Sequence, residues 1–298
     1  MPTEFPVGDN RPFPLLRHRL RGTALHRSYR FLQSRRGARA ERQLLASIET
    51  YCLFLGHARS GHSILGALLD AHPQMAISDE LDATAYIHAG FARDQVLWLS
   101  IKVARDQAAR FRRKRGRGGK IYSYHVPDQW QGRATSLRVV GDSNAGGTVR
   151  ALAEDPGLLL RLEATMAGLH LRFVHVARNP FDNIGTMMLR SGRSFESASE
   201  RYFENWRLID ALADRIGRDR IHTVRHEALV SEPREAIGAI CGFLGVQPSD
   251  AYLDACAAVL FDSPARSRHQ VEWSAAQRAR IEAGIAEVEG LRGYSFKS

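Results

Sequence analysis

The sequence has only three cysteines in 298 residues: Cys52, Cys241 and Cys256. Three scattered thiols cannot build the disulfide framework of a small secreted domain, and no CxxC pair offers a metal site. No apolar run approaches membrane-spanning length, and the opening MPTEFPVGDNRPFPLL lacks the apolar segment of a secretory leader. The expected compartment is the cytoplasm. Lysine is also scarce, at four of the 42 basic residues. No internal repeat and no linker rich in Pro, Gly and Ser divides the chain, so a hydrophobic content of 44% can close a full α/β core.

The charge that is present is uneven. Residues 11–42 hold ten arginines and one acid, and residues 105–120 hold eight basic residues and one acid, within a net charge of +10. The remainder is therefore net acidic. The first run carries Leu16, Leu20, Leu25, Tyr29 and Leu32 at helical spacing, which predicts a basic helical extension over 1–48 ahead of a domain over 49–298. Two readings of that helix stand side by side: packing on the domain with a solvated arginine face, or contact with a polyanion or a membrane surface. The second run, RFRRKRGRGGK, reads as a loop. Neither run interleaves aromatics as nucleic-acid reading modules do, so no nucleic-acid partner is expected.

The periodicity predicts strands over 50–56, 137–142, 171–177 and 220–225. Helices are predicted over 61–71, 80–111, 145–153, 156–168, 181–190, 195–216, 233–244, 249–260 and 274–289. Strands alternating with helices imply a parallel sheet covered on both faces, with ligands at the carboxyl ends of its strands. The stretch from Tyr51 to Glu80 is the most informative. An apolar run ends at Gly56, a small polar loop follows, and Ile64, Leu65, Leu68 and Leu69 then mark a helix. A strand that breaks at glycine into a helix N-terminus makes an anion site from free amides and the helix dipole. Gly56 and Gly61, with Ser63 beyond, have the GxxxxGK[ST] frame, but His62 stands at the lysine position and the cation is Arg59, inside the loop.

Arg59-Ser60-Gly61, two small polar residues, the helix end Leu69-Asp70-Ala71-His72-Pro73 and Glu80 together resemble the 5′-phosphosulfate loop of sulfotransferases that use PAPS (3′-phosphoadenosine 5′-phosphosulfate). The likeness is to the bacterial, carbohydrate and tyrosylprotein branches, although His62-Ser63 replaces their usual Thr-Thr. Leu171 to Ala177 running into Arg178-Asn179-Pro180 and Thr186 is similar to that family's 3′-phosphate segment. Thr223 to Leu229, with Pro233 and Phe243-Leu244-Gly245, resembles a further family segment in which His226 replaces tyrosine. Arg266-Ser267-Arg268-His269 with Trp273 resembles the loop that closes on the nucleotide.

The resemblance implies a three-layer P-loop-like fold and sulfuryl transfer from PAPS, a co-substrate, to a hydroxyl or amine, with no metal required. It implies Glu80 as general base and Arg59 as the residue that stabilises the leaving phosphate. It further implies nucleotide contacts from Arg59, Ser60, Gly61, His62, Ser63, Arg178, Thr186, His226, Arg266 and Arg268. Read without the resemblance, Ser78-Asp79-Glu80-Leu81 also looks like a helix N-terminus. Asp142, at the next strand end, is either an acceptor-side wall or part of an ordinary turn. The acceptor is expected between Glu80 and residue 136. It would be a small molecule, glycan or lipid, with anionic groups favoured by the basic run. Two alternatives stay open: a P-loop kinase acting on a small molecule, with Asp142 as its magnesium ligand, and a non-catalytic nucleotide or polyanion binder.

Overall fold

The computed structural model describes residues 24–109, 113–115, 121–134 and 136–298. Helices α1 (Ala24–Ala40) and α2 (Arg42–Ala46) lead into β1 (Thr50–Gly56), α3 (His62–Asp70) and β2 (Met75–Ser78). After them come α4 (Ala83–His88), α5 (Arg93–Ala108), a short antiparallel pair of β3 (Arg113–Arg115) and β4 (Ile121–Ser123), and β5 (Val139–Asp142). Next are α6 (Ala145–Glu154), α7 (Leu158–Thr165), β6 (His170–Ala177), α8 (Pro180–Ser191), α9 (Phe195–Ile216) and β7 (Ile221–Arg225). The chain then continues through α10 (His226–Ser231), α11 (Pro233–Leu244), α12 (Asp250–Val259) and α13 (Ala275–Glu287). No helix among the described residues is long and apolar enough to cross a membrane.

Five strands form one parallel sheet in the order β2-β5-β1-β6-β7. All seven residues of β1 are buried, because a central parallel strand has helices over both faces and alternation gives way to a continuous apolar run. Tyr51, Leu53 and Leu55 pack into one layer with α5, α6, α7 and α9. Cys52 and Phe54 point into the other, with α3, α11 and α12. A third cluster joins α8, α9 and α13 to the C-terminal segment. The strands run the same way, with β2 and β5 ending opposite Leu53 (Ser78 and Leu53 both register with Asp142) and β1, β6 and β7 running on past it, Gly56 against Val176 and Ala177 against Arg225. Every candidate anion segment therefore opens on the same edge of the sheet.

The structure departs from the sequence-based expectations in three places. Strand β2 was not predicted, because four residues are too short to show a period. It forms by pairing with β5, and the Asp70 carboxylate takes the Ile77 N–H at 2.9 Å. Ser78 thus ends a strand, so Glu80 does not begin a helix. The helix expected over 80–111 is broken at Gly90, where φ is 79°, a conformation that favours glycine. The basic run expected to be a plain loop contains the β3–β4 pair; its residues 110–112 and 116–120 lie outside the described residues.

The described part of the N-terminal extension packs on α5. Gln95 donates to the Phe31 carbonyl and Ser34 Oγ, and Glu41 takes the Trp98 indole N–H at 3.1 Å and Arg105 at 2.7 Å. Leu25, Tyr29 and Leu32 stay exposed on its outer face, while Leu16 and Leu20 lie outside the described residues.

Candidate active site

Between β1 and α3 the loop His57–Gly61 is held by its carbonyls. Asn205 of α9 donates to the Gly56 carbonyl at 3.0 Å, Asn183 of α8 to Ala58 at 3.0 Å, and Arg178 to Arg59 at 2.8 Å. Peptide planarity sets each N–H opposite its carbonyl, so three side-chain anchors also fix the directions of the loop amides. Arg59 adopts φ 69° and Gly61 φ 102°, and the Arg59 side chain is exposed. The left-handed arginine costs about 1–3 kcal/mol, offset by the buried guanidinium that holds its carbonyl. Gly61 caps α3 without any side-chain hydrogen bond, so the first-turn amides of a nine-residue helix are left to a ligand or solvent. Ser60 is buried with its Oγ 3.4 Å from His62 Nδ1.

Arg178 leaves β6 and joins three segments. Its guanidinium donates to the Arg59 and Ala265 carbonyls, each at 2.8 Å, and to Thr186 Oγ1 at 3.4 Å. Thr186 lies 2.8 Å from Ser267 Oγ and donates to the Asp182 carbonyl at 2.7 Å. Asn179 caps α8 by accepting the Phe181 N–H, with Pro180 at the first helical position, which explains why the chain turns here. The structure thus brings Arg59, Arg178 and Thr186 together and adds Ser267, to which the sequence reading gave no role of its own within the 266–269 segment.

His226 covers Gly61: a Cβ on that glycine would lie 2.4 Å from the His226 ring. Burial, reinforced by the positive Arg178, pushes the His226 imidazole down to about 3, and burial brings His57 to about 4. Both rings are neutral at pH 7. His57 donates its Nε2 proton to the Tyr202 carbonyl at 3.0 Å and stacks on that ring, whereas His226 Nδ1 is buried without a hydrogen-bond partner among the described residues.

Arg266 and Arg268 are placed differently from each other. Arg268 is buried in an ion pair with Asp182 at 2.7 Å, and it donates to the carbonyls of Ser295, Phe296 and Ser298. It ties the 295–298 segment to Asp182 of α8, and none of its hydrogen bonds among the described residues reaches the loop. The Arg266 side chain is exposed, and that segment reaches Arg178 through the carbonyl of Ala265 and the hydroxyl of Ser267.

Glu80 is exposed at φ 57° on the turn after β2. Asp142 fixes this turn: its carboxylate accepts from Ser78 Oγ at 3.0 Å, Leu81 N at 2.9 Å and Ala83 N at 3.0 Å. Burial pushes the Asp142 carboxyl up to about 6 even so. Gln107 grips the Asp79 backbone at both its N–H and its carbonyl. Asp142 is therefore turned inward as a clamp rather than lining an acceptor wall. Beside the turn lies a pocket bordered by Ser63 of the loop helix, Asp70, Asp79, Gln107, Tyr124 and His125.

A parallel sheet with an anion loop at the end of its central strand defines a P-loop-like α/β protein. The family model described as "Sulfotransferase family" matches residues 53–250, and the chain belongs to that family of enzymes. Among solved structures it is similar to the sulfotransferase domain from the curacin biosynthetic pathway, at 16% identity and a TM-score of 0.50, covering 80% of this chain and 97% of that one. It is also similar to the sulfotransferase domain of the Synechococcus PCC 7002 olefin synthase (16%, TM-score 0.48, 80% and 93% covered). A third is sulfotransferase STF9 from Mycobacterium avium (12%, TM-score 0.47, 94% and 88% covered). A search of curated proteins finds no match. Family membership leaves the kinase and non-catalytic readings without support.

Proposed function

We propose that the protein transfers a sulfuryl group from PAPS to a hydroxyl or amine of an acceptor, with Glu80 as base. One observation carries this reading: two anion segments 119 residues apart are joined by the bond from Arg178 to the Arg59 carbonyl. An uncapped helix N-terminus beside a buried arginine fits a ligand with an anion at each end. PAPS, when bound, supplies the sulfuryl group. The amides of Ser60, Gly61, His62 and Ser63, with the Arg59 side chain, would hold its 5′ end. Arg178 and Thr186 would hold the 3′-phosphate, with Arg266 on the solvent side.

His226, neutral and set over Gly61, would meet the donor loop as an uncharged ring rather than as a charge. Arg268, paired with Asp182, would act by holding α8 in place rather than by touching the donor. The acceptor oxygen forms a bond to sulfur, the bond from sulfur to the 5′-phosphate oxygen breaks with its electron pair, and the acceptor proton passes to Glu80. Arg59 and the loop amides meet the charge that develops on the phosphate. The residues supply positioning and charge, as in phosphoryl transfer.

Thermal shift with 3′,5′-ADP and, separately, with ATP and magnesium tests the donor. Stabilisation by 3′,5′-ADP is expected. Stabilisation by ATP with magnesium alone would refute the reading. Transfer of ³⁵S from PAPS should persist in EDTA.

A further inference from the structure

We infer that the acceptor carries a protonated amine beside the hydroxyl that is sulfated, and that Asp70 and Asp79 receive that amine in the cavity next to the donor loop. The inference rests on the reading of that loop as the PAPS site.

The cavity wall carries two carboxylates, and no lysine or arginine is among its described lining. Asp70 is 5% exposed and uses one oxygen, Oδ1, to take the Ile77 N–H. Its Oδ2 has no hydrogen bond among the described residues. Asp70 is also the last residue of α3, where the helix dipole is negative and disfavours a carboxylate. Burial adds to this and pushes the carboxyl up to about 7. A desolvated acid at a negative helix end is a poor structural choice, and an ammonium ion is the partner that would offset both penalties.

The rest of the wall is preformed. Gln131 donates to the Ala67 carbonyl at 3.0 Å and to Tyr124 at 2.8 Å, and its Oε1 takes the Val126 N–H at 2.8 Å, which staples the 124–131 segment to α3. Gln107 and Ser143 hold Asp79, the residue before Glu80, by its backbone and its side chain. An amine seated on Asp70 and Asp79 would therefore leave its hydroxyl between Ser63 on the loop helix and the Glu80 turn. The basic run at 105–120 pointed to an anionic acceptor; at its start, Arg105 is paired with Glu41, and Asp106 with Lys102 of the same helix. The wall formed by the described residues points to a cation. In the step itself the hydroxyl oxygen takes the sulfuryl group, Glu80 takes its proton, and the ammonium is unchanged.

The test is a transfer assay with ³⁵S-labelled PAPS and the full chain. A small-molecule extract of the cells that make the protein is separated at pH 7 into cation-retained, neutral and anion-retained pools, and each is offered as acceptor. Label should enter only the cation-retained pool, and chemical acetylation of that pool should abolish transfer. Label in the neutral or anionic pool overturns the inference. So does no label from any pool while 3′,5′-ADP still raises the melting temperature. Absence of 3′,5′-ADP binding instead overturns the donor reading. With the acceptor so found, Asp70→Asn, whose amide oxygen can still take the Ile77 N–H, should raise KM at least tenfold and leave the 3′,5′-ADP Kd within twofold. Asp79→Asn should act in the same direction, and an unchanged KM in both variants overturns the assignment.

Discussion

Arg178→Ala tests the joint between the two anion segments most directly. The side chain is buried and donates to two carbonyls and one hydroxyl on three separate segments. Hydrogen bonds from a charged donor contribute about 1.5–3 kcal/mol each, but Arg59 and Ala265 are exposed, so water replaces part of the loss. The expected loss of stability is therefore roughly 2–4 kcal/mol, from releasing the loop and the 265–267 segment together.

Nucleotide affinity should separate this structural loss from the phosphate contact. 3′,5′-ADP and 5′-AMP meet the same loosened loop, but only 3′,5′-ADP has the phosphate assigned to Arg178. Calorimetric titration at a temperature where the variant is folded should show 3′,5′-ADP losing about 2 kcal/mol more than 5′-AMP, or roughly thirtyfold. Arg178→Lys should recover part of the charge but not the fork that spans both carbonyls. Equal losses for the two nucleotides would refute the 3′-phosphate assignment and leave Arg178 as a structural tie.

Four further outcomes are expected. Gly61→Ala would place a Cβ 2.4 Å from the His226 ring at a residue with φ 102°, so 3′,5′-ADP affinity should fall at least tenfold, about 1.4 kcal/mol, and unchanged binding in titration would show that the loop tolerates the shift. Glu80→Gln should abolish transfer to a hydroxyl while leaving 3′,5′-ADP affinity within about 1 kcal/mol, and full activity would end its assignment as base. Arg268→Met leaves Asp182 buried without its partner and should cost about 3–5 kcal/mol in urea unfolding, with nucleotide affinity of the folded protein preserved; loss of affinity with intact stability would return Arg268 to the site.

Asp142→Asn carries a pH signature. Burial raises the Asp142 carboxyl from 3.8 to about 6, so the stability it contributes is full below the unfolded pKa and lost as pH rises through the folded one. The asparagine variant cannot ionise. The stability difference should therefore shift towards the variant by up to about 3 kcal/mol between pH 4 and pH 7, and a pH-independent difference in chemical denaturation would contradict the buried carboxyl.

Much of the architecture was legible in the chain. β1, α9 and α11 are long and strongly patterned, and 195–216 and 233–244 form helices over the bounds their periodicity predicts. The glycine loop with its arginine, and Arg178 with Thr186 eight residues on, could be found because each sits at a strand end in a short local pattern. Ser267 and Asn183 carry no such signal. They matter because folding sets them against Thr186 and the Ala58 carbonyl, and a lone serine or asparagine in sequence looks like any other.

The local pattern of apolar residues, glycines and prolines by itself determined the strand-loop-helix units and their order, because each depends on contacts within a few residues. Only the tertiary structure decided which side chains face the crevice. Arg266 and Arg268 look alike beside Ser267, yet one is exposed and the other is buried on Asp182, 86 residues away. Asp142 could be read from the sequence as an acceptor wall or as part of a turn, and it clamps the turn that carries Glu80. Asp70 looked like part of a helix end and instead lines a cavity, because β2 forms against β5 and brings Ile77 to its carboxylate. A charged side chain takes its role from the partner it meets, and that partner is set by long-range packing, which a local pattern does not encode.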